Sequence, residues 1–76
     1  MEDKLKTLLA ALLGVDEELI EENSSQDTIE GWDSLKQMNI VVAIEEEFGI
    51  QLNEEESILS NSYESLLKLI KQKLNN

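Results

Sequence analysis

The chain has 76 residues and carries 17 acidic against 6 basic side chains, so its net charge is −11. A surface this acidic excludes binding to nucleic-acid phosphates and attraction to anionic lipids, and it favours basic protein surfaces or cations as partners. The chain contains no His and no Cys, and all its basic residues are Lys. Because Cys is absent, packed apolar side chains and not disulfides must hold the fold together. We find no general base, metal-ligand set or phosphate loop, so an enzyme is not expected.

Length and hydropathy also limit the architecture. The chain is long enough for one small domain and too short for two. Its acidic opening is unlike a secretory signal, and no apolar run approaches the roughly 20 residues that span a bilayer. We therefore expect a single domain over residues 1–76, monomeric, located in the cytoplasm and not inserted in a membrane.

Leucines with helical spacing open the chain. They recur at positions i, i+3, i+4, i+7 and i+8, which predicts an amphipathic helix over about residues 3–13. Gly14 follows the last of them and is suited to end the helix. The apolar face of this helix consists of Leu5, Leu8, Leu9, Leu12 and Leu13.

The following segment, residues 15–33, is predicted to be a long acidic loop, because it holds eight acidic residues and no basic one. Loops of this length are usually functional or disordered. Isolated apolar residues predict that the loop is pinned onto the core, with one short helical turn after Asp16. Trp32 is expected to be half-buried. The predicted anchors are Val15, Leu19, Ile20, Ile29 and Trp32.

A second helix is predicted over residues 34–48, ended by Gly49. At about 100° per residue, it has two apolar faces. The face expected in the core holds Ile40, Val41, Ile44 and Phe48. Leu35, Met38 and Val42 lie on the opposite side, with Glu45 and Glu46 beside them. Two interpretations stay open for this second face: another segment such as the long loop covers it, or it docks a basic partner through apolar contacts ringed by acids.

The remaining residues are predicted to form a buried turn, a short helix and a last helix. Ile50 and Leu52 are the expected buried points of the turn. Asn53 is the expected N-cap of the short helix. Glu54 to Glu56 suit the positive end of its dipole. Its apolar contacts are expected from Ile58 and Leu59. Ser62 is expected to cap a last helix whose apolar face holds Tyr63, Leu66, Leu67, Ile70 and Leu74.

The predicted fold class is therefore all-α: a small bundle of three main helices and one short helix, with a long loop between the first and second helices. No segment shows a convincing period-2 strand pattern.

Ser34 stands at the start of the second helix, within the motif Gly31-Trp32-Asp33-Ser34-Leu35. One interpretation is structural, since Ser is a favoured N-cap and the charge of Asp33 also suits a helix start. The other is that a separate protein modifies the hydroxyl, because this chain has no His or Cys to activate it.

The stretch from Gly31 to Leu52 resembles the acyl carrier protein family, with Trp-Asp-Ser-Leu opening a helix and Glu-Glu-Glu-Phe-Gly-Ile closing it. The resemblance covers all 76 residues in length, helix order and acidity. Its most specific part is the Asp33-Ser34-Leu35 motif, spaced as in that family from the acidic end of the helix. The resemblance implies that Ser34 carries 4′-phosphopantetheine and that the protein carries acyl groups as thioesters on that arm.

The resemblance also implies partners and roles for neighbouring residues. A separate phosphopantetheinyl transferase would supply the base and Mg²⁺ with which Ser34 Oγ attacks the β-phosphorus of coenzyme A. Asp33 would orient the segment or contact the transferase or its metal, and Leu35 would seat in the transferase and in later partners. Acyl-loading, condensing or transferring enzymes with basic docking surfaces would then bind Leu35, Met38, Val42, Glu45 and Glu46.

Three residues depart from the pattern of fatty-acid-synthesis carriers. Lys36 and Asn39 stand where those carriers often have acids. A tryptophan directly before the motif, as at Trp32, resembles free-standing carriers of specialised pathways. We therefore expect a specialised lipid- or polyketide-type pathway, with an aminoacyl or peptidyl carrier as the alternative.

One other function class remains open from the residues alone, an acidic helical adaptor that binds a basic protein surface without using Ser34. The acidic clusters at residues 45–47 and 54–56 are expected to bind divalent cations only weakly, because no calcium-loop spacing is present. No metal site is predicted.

Overall fold

The computed structural model describes residues 2–74, and its helices follow the predicted order. They are α1 (Glu2–Leu13), α2 (Ser34–Phe48), α3 (Glu54–Leu59) and α4 (Tyr63–Leu74), with a single 3₁₀ turn (Glu17–Leu19) in the long connection after α1. Over residues 2–74 the chain forms no β-strand, which confirms the all-α prediction. None of the helices in this range is both long and apolar enough to cross a bilayer.

The helix ends agree with the local chemistry predicted for them. Gly49 ends α2 in the left-handed conformation at φ 66°, where a residue with a Cβ would be strained. Asn53 caps α3 in a reciprocal capping box with Glu56: the Asn53 side chain accepts from the Glu56 N–H, and the Glu56 carboxylate accepts from the Asn53 N–H. Ser62 Oγ accepts from the Ser65 N–H at 3.1 Å, so Ser62 caps the start of α4.

The core lies where α1, α2 and α4 meet, and it is built from the predicted leucines and isoleucines. The predicted core face of α2 is correct for Ile40 and Ile44, whereas Val41 is buried but lies outside the main core cluster and Phe48 is only partly buried. The side chains that are fully buried are Leu5, Leu9, Ile40, Ile44, Tyr63, Leu66 and Ile70.

Several predicted positions are wrong. Trp32 is 2% exposed and belongs to the core cluster, whereas half-burial was expected. Leu19 lies on the 3₁₀ turn and faces solvent, and Leu74 is exposed near the end of α4. Ile58 and Leu59 do not contribute to the core either, because none of the six residues of α3 is buried.

Backbone hydrogen bonds hold the long loop, in addition to its apolar anchors Ile20 and Trp32. The Gln26 N–H donates to the Asn61 carbonyl at 2.9 Å, and the Tyr63 N–H donates to the Ser24 carbonyl at 2.8 Å. The loop is therefore tied to the residues that begin α4.

Candidate functional site around Ser34

Ser34 is the first residue of α2, and the capping role belongs to its neighbour. Asp33 is the N-cap, with an extended backbone and a side-chain Oδ1 that accepts from the Lys36 N–H at 2.9 Å. The interpretation of Ser34 as the cap is therefore wrong, because Asp33 already supplies the oxygen that the first turn requires. Ser34 itself is exposed at the junction of the loop and the helix.

The exposure of Ser34 distinguishes it from the other serines. The chain contains seven serines, all within residues 24–65, and Ser34 alone falls in the exposed class while the others are buried or half-buried. Ser34 is therefore the serine most open to a reagent or enzyme that approaches from solvent.

The electrostatic setting of Ser34 suits an anion. A helix of 15 residues begins here, and its first turn contains no acidic residue. The backbone N–H groups at a helix start have no partner within the helix, and together with the dipole they favour negative charge. Lys36 adds a cation in the same turn. A phosphate ester on Ser34 Oγ would therefore lie at the end of α2 that stabilises it, although the Asp33 carboxylate opposes this effect.

A buried hydrogen-bond network that was not predicted from the sequence lies beneath the site. The Trp32 indole N–H donates to Gln37 Oε1 at 2.8 Å. The Gln37 side-chain amide donates in turn to the carbonyls of Ser60, at 2.7 Å, and Ser57, at 3.0 Å. Gln37 is only 7% exposed. The network thus connects the residue two before Ser34 with the C-terminal end of α3.

A signal for Gln37 was present in the sequence. It lies three and four residues before Ile40 and Val41, so it shares the core face of α2. A glutamine on an apolar helical face has to find buried partners for its amide. Such a residue is a candidate for a specific polar contact, and Trp32 carries the one indole N–H in the chain.

The predicted second face of α2 is not covered by the loop. Leu35, Met38 and Val42 are 69%, 68% and 54% exposed. We call these three residues the exposed stripe. Beside it runs an open groove between α2 and α3, with a volume of about 350 Å³. Its lining includes Ser34, Gln37, Met38, Val41, Val42 and Ile58.

The two acidic residues predicted beside the stripe differ in their surroundings. Glu46 is exposed, whereas Glu45 is half-buried and its Oε2 accepts from the Leu52 N–H at 2.9 Å. Glu45 thereby stabilises the turn that follows α2, so its carboxylate is only partly available to a partner. Next to it, Glu47 pairs with Lys4 at 3.8 Å across an exposed surface.

The acidic cluster at residues 54–56 also forms contacts within the protein. Glu56 is paired with Lys73 at 2.9 Å. The Asn53 backbone N–H, and then Lys73, hold the pKa of Glu56 below its usual value. Within residues 2–74 no group of three or more potential ligands is arranged to hold a metal ion.

A comparison with protein families identifies the region that includes this site. A family model described as a phosphopantetheine attachment site matches residues 3–70. The match covers most of the chain, including Ser34, the exposed stripe and the network around Gln37.

Proposed function

Because this chain belongs to the phosphopantetheine-attachment family, we propose that it is an acyl carrier protein and that Ser34 bears its arm. Membership in the family implies a covalently attached 4′-phosphopantetheine and a carrier role. The single observation that supports Ser34 is its position: it is the one exposed serine, at the first residue of α2, with capping assigned to Asp33.

The residues around Ser34 fit the arm. The positive end of the α2 dipole favours the phosphate, and Lys36 lies in the same turn. Asp33 holds the first turn through its hydrogen bond to the Lys36 N–H. When attached, the arm supplies a thiol, a group that this chain does not encode. The chain offers no His to activate the serine, so we assign activation to a separate phosphopantetheinyl transferase.

The exposed stripe is the proposed docking surface for the transferase and for the enzymes that load, condense or transfer acyl groups. The apolar contacts would come from Leu35, Met38 and Val42. The exposed Glu46 and the half-buried Glu45 would attract a basic partner. Electrostatic attraction speeds the association of the two proteins, and a small apolar contact lets the complex dissociate again. This is the behaviour that a carrier serving several enzymes needs.

The pathway proposed for the carrier is a specialised lipid- or polyketide-type pathway. It is supported by Trp32, Lys36 and Asn39, with aminoacyl or peptidyl carriage as the alternative. The monomeric state and the cytoplasmic location stay predictions of the sequence.

Intact-mass analysis tests the attachment site directly. The full chain is incubated with coenzyme A, Mg²⁺ and a promiscuous phosphopantetheinyl transferase. We expect one phosphopantetheine on the wild type and none on Ser34→Ala. Ser57→Ala is the matched control, because its half-buried hydroxyl lies beside the same groove, and it should be modified like the wild type. If the protein is instead an acidic adaptor, the wild type, Ser34→Ala and Ser57→Ala would all remain unmodified.

A further inference from the structure

The hydroxyl of Tyr63 stands out among the buried groups of the protein. Within residues 2–74 it is the one buried side-chain polar group without a hydrogen-bond partner. Tyr63 is 1% exposed, and its backbone N–H is already engaged with the Ser24 carbonyl. A buried hydroxyl that gives up its hydrogen bond to water without a replacement is unfavourable. Such a group is where a bound ligand can supply the missing partner.

Tyr63 lines a cavity of about 260 Å³ to which three parts of the chain contribute. Glu2 comes from the start of α1, Glu22 from the long loop, and Glu64 and Leu67 from α4. The three glutamates are exposed, whereas Leu67 is half-buried and Tyr63 is buried. The cavity therefore combines acidic groups towards solvent with an apolar inner surface. We call it the Tyr63 cavity.

No lysine pairs with the glutamates of the Tyr63 cavity in the part of the chain that the structure describes. The ion pairs within residues 2–74 are Lys4–Glu47 and Lys73–Glu56. Glu2 and Glu64 lie in the first turns of α1 and α4, where acids compensate the helix dipole. That role explains neither Glu22, which lies in the loop, nor the unpartnered hydroxyl.

The field at the Tyr63 hydroxyl is negative. Burial, and after it the carboxylates of Glu2, Asp3 and Glu22, raise the pKa of the phenol. The nearby cation is Lys6, whose Nζ lies over the Tyr63 ring at 5.8 Å from its centroid. One lysine thus faces a larger number of acids, so a further cation is attracted to this end of the bundle.

The arrangement of the acids indicates what kind of cation fits. Within residues 2–74 no group of three or more potential ligands is arranged to hold a metal ion, so the glutamates do not converge on one point. Acids spread around an apolar cavity suit a cation whose charges are separated by methylene groups. Alkylammonium chains lay their methylenes on apolar surface and keep their charged ends with polar groups. At about 260 Å³ the cavity is smaller than most small-molecule pockets, which suits a thin chain.

We propose that the Tyr63 cavity binds a linear aliphatic polyamine, whose ammonium groups pair with Glu2, Glu22 and Glu64 and donate a hydrogen bond to Tyr63 Oη. The site goes beyond the proposed function and does not depend on Ser34. Because α1, the long loop and α4 all contribute, a bound polyamine ties the loop to the bundle. Binding to the folded state alone also stabilises it against unfolding.

A spermidine titration of the full chain followed by ¹H–¹⁵N and methyl NMR tests the site. The titration is run at about 0.15 M salt, which screens attraction between distant exposed charges. We expect saturable shifts at the amides of Glu22, Tyr63 and Glu64 and at the methyls of Leu67. Mg²⁺ at the same concentration of charge should not reproduce them, because the acids do not converge on one ion.

Paired variants separate this site from general attraction to an acidic protein. Glu22→Gln/Glu64→Gln should weaken spermidine binding about tenfold, as expected for two exposed ion pairs at the upper end of their range. Glu54→Gln/Glu55→Gln is the matched control, since it removes two exposed charges from α3, and it should leave the affinity close to that of the wild type.

Tyr63→Phe tests the role of the hydroxyl. It should weaken spermidine binding about two- to tenfold, the value for one net hydrogen bond. Without spermidine it should not lower the Tm, because the hydroxyl has no partner to lose. A lower Tm without spermidine would give the hydroxyl a structural role and overturn the site.

Three other results would also overturn the proposal. They are shifts of equal size at the acids of α2 and α3, equal weakening by the two double variants, and saturable shifts with Mg²⁺ that match those with spermidine. Each would show general attraction to a negative surface. None of them bears on the loading of Ser34, which intact mass tests separately.

Discussion

The two sides of this bundle are held together in different ways. Where α1 meets α4 and the inner face of α2, fully buried leucines and isoleucines pack against one another, as at Leu5, Leu9, Leu66 and Ile70. The short helix α3 is held by polar contacts: the Gln37 amide of α2 donates to two backbone carbonyls at the end of α3, and Glu56 of α3 pairs with Lys73 of α4. Ser34 lies at the edge of this polar side. The molecule thus combines a packed scaffold with a loosely anchored helix beside its candidate attachment site.

The contrast indicates which parts can move without unfolding the chain. Burial of large apolar side chains contributes far more per residue than a hydrogen bond that replaces one to water. Local opening is therefore expected on the α3 side, where few apolar contacts have to be broken. Such an arrangement would suit a carrier whose arm is attached at Ser34, because the surroundings of the arm could adapt while the scaffold keeps its shape.

The largest expected effect comes from the packed side. Leu9→Ala removes a fully buried side chain between α1 and the other main helices, and such truncations cost about 2–5 kcal/mol. The loss is a large fraction of the stability expected for so small a protein. Urea unfolding followed by circular dichroism measures it.

Leu35→Ala is the matched control for this measurement, since Leu35 is 69% exposed. Its effect should stay within about 0.5 kcal/mol, as at other surface positions. Equal losses in the two variants would show that the packed core is not where the stability lies.

A smaller effect is expected on the polar side. Gln37→Met keeps the volume but leaves the Trp32 indole and the carbonyls of Ser57 and Ser60 without their partner, at a cost of about 1–3 kcal/mol. A double-mutant cycle with Trp32→Phe, measured by urea unfolding, should give a coupling energy of about 0.5–3 kcal/mol. Additive effects would mean that the indole–amide hydrogen bond contributes nothing measurable.

The sequence was a good guide to the packed side and a poor one to the polar side. Helical spacing identified α1, α2 and α4 and most of their buried residues, because burial of an apolar face imposes a period on the sequence. It failed for Ile58 and Leu59, since α3 is too short for spacing to distinguish an inward from an outward face. It failed for Trp32 because the partner that satisfies its N–H inside the core, Gln37, had not been recognised.

The features of the candidate site also fall into those that could be predicted from the sequence and those that could not. The family resemblance identified the Asp33-Ser34-Leu35 motif and helical geometry predicted the exposed stripe, and both depend on a contiguous stretch of sequence. The capping role of Asp33, the engagement of Glu45 with the Leu52 N–H and the bonds from Gln37 to α3 depend on which segments meet in space. Periodicity carries no information on such contacts between segments distant in sequence.

Added cations should have a more modest and less local effect on stability. The net charge is −11, and residues 15–33 hold eight acids and no base, so mutual repulsion opposes the compact state. We expect Mg²⁺, Ca²⁺ or added salt to raise the Tm in thermal melts monitored by circular dichroism. The gain should shrink in a Glu18→Gln/Glu22→Gln variant, which removes two exposed charges from the loop. Melting curves that do not change across the titration would contradict this expectation.

The smallest effect concerns the ion pair at α3. The pKa of Glu56 is lowered from 4.5 by the Asn53 N–H and then by Lys73. A carboxyl whose pKa is lowered on folding contributes stability above its unfolded pKa, and that contribution is lost as the pH falls through the folded value. We expect Glu56→Gln to lower the Tm slightly at pH 7 and the difference from wild type to disappear in acid, below the lowered pKa. Glu55→Gln, at an exposed position in the same helix, should show no such difference at pH 7. A Glu56→Gln effect that persists unchanged in acid would assign the role of this side chain to packing, and the polar anchoring of α3 would then depend on Gln37 alone.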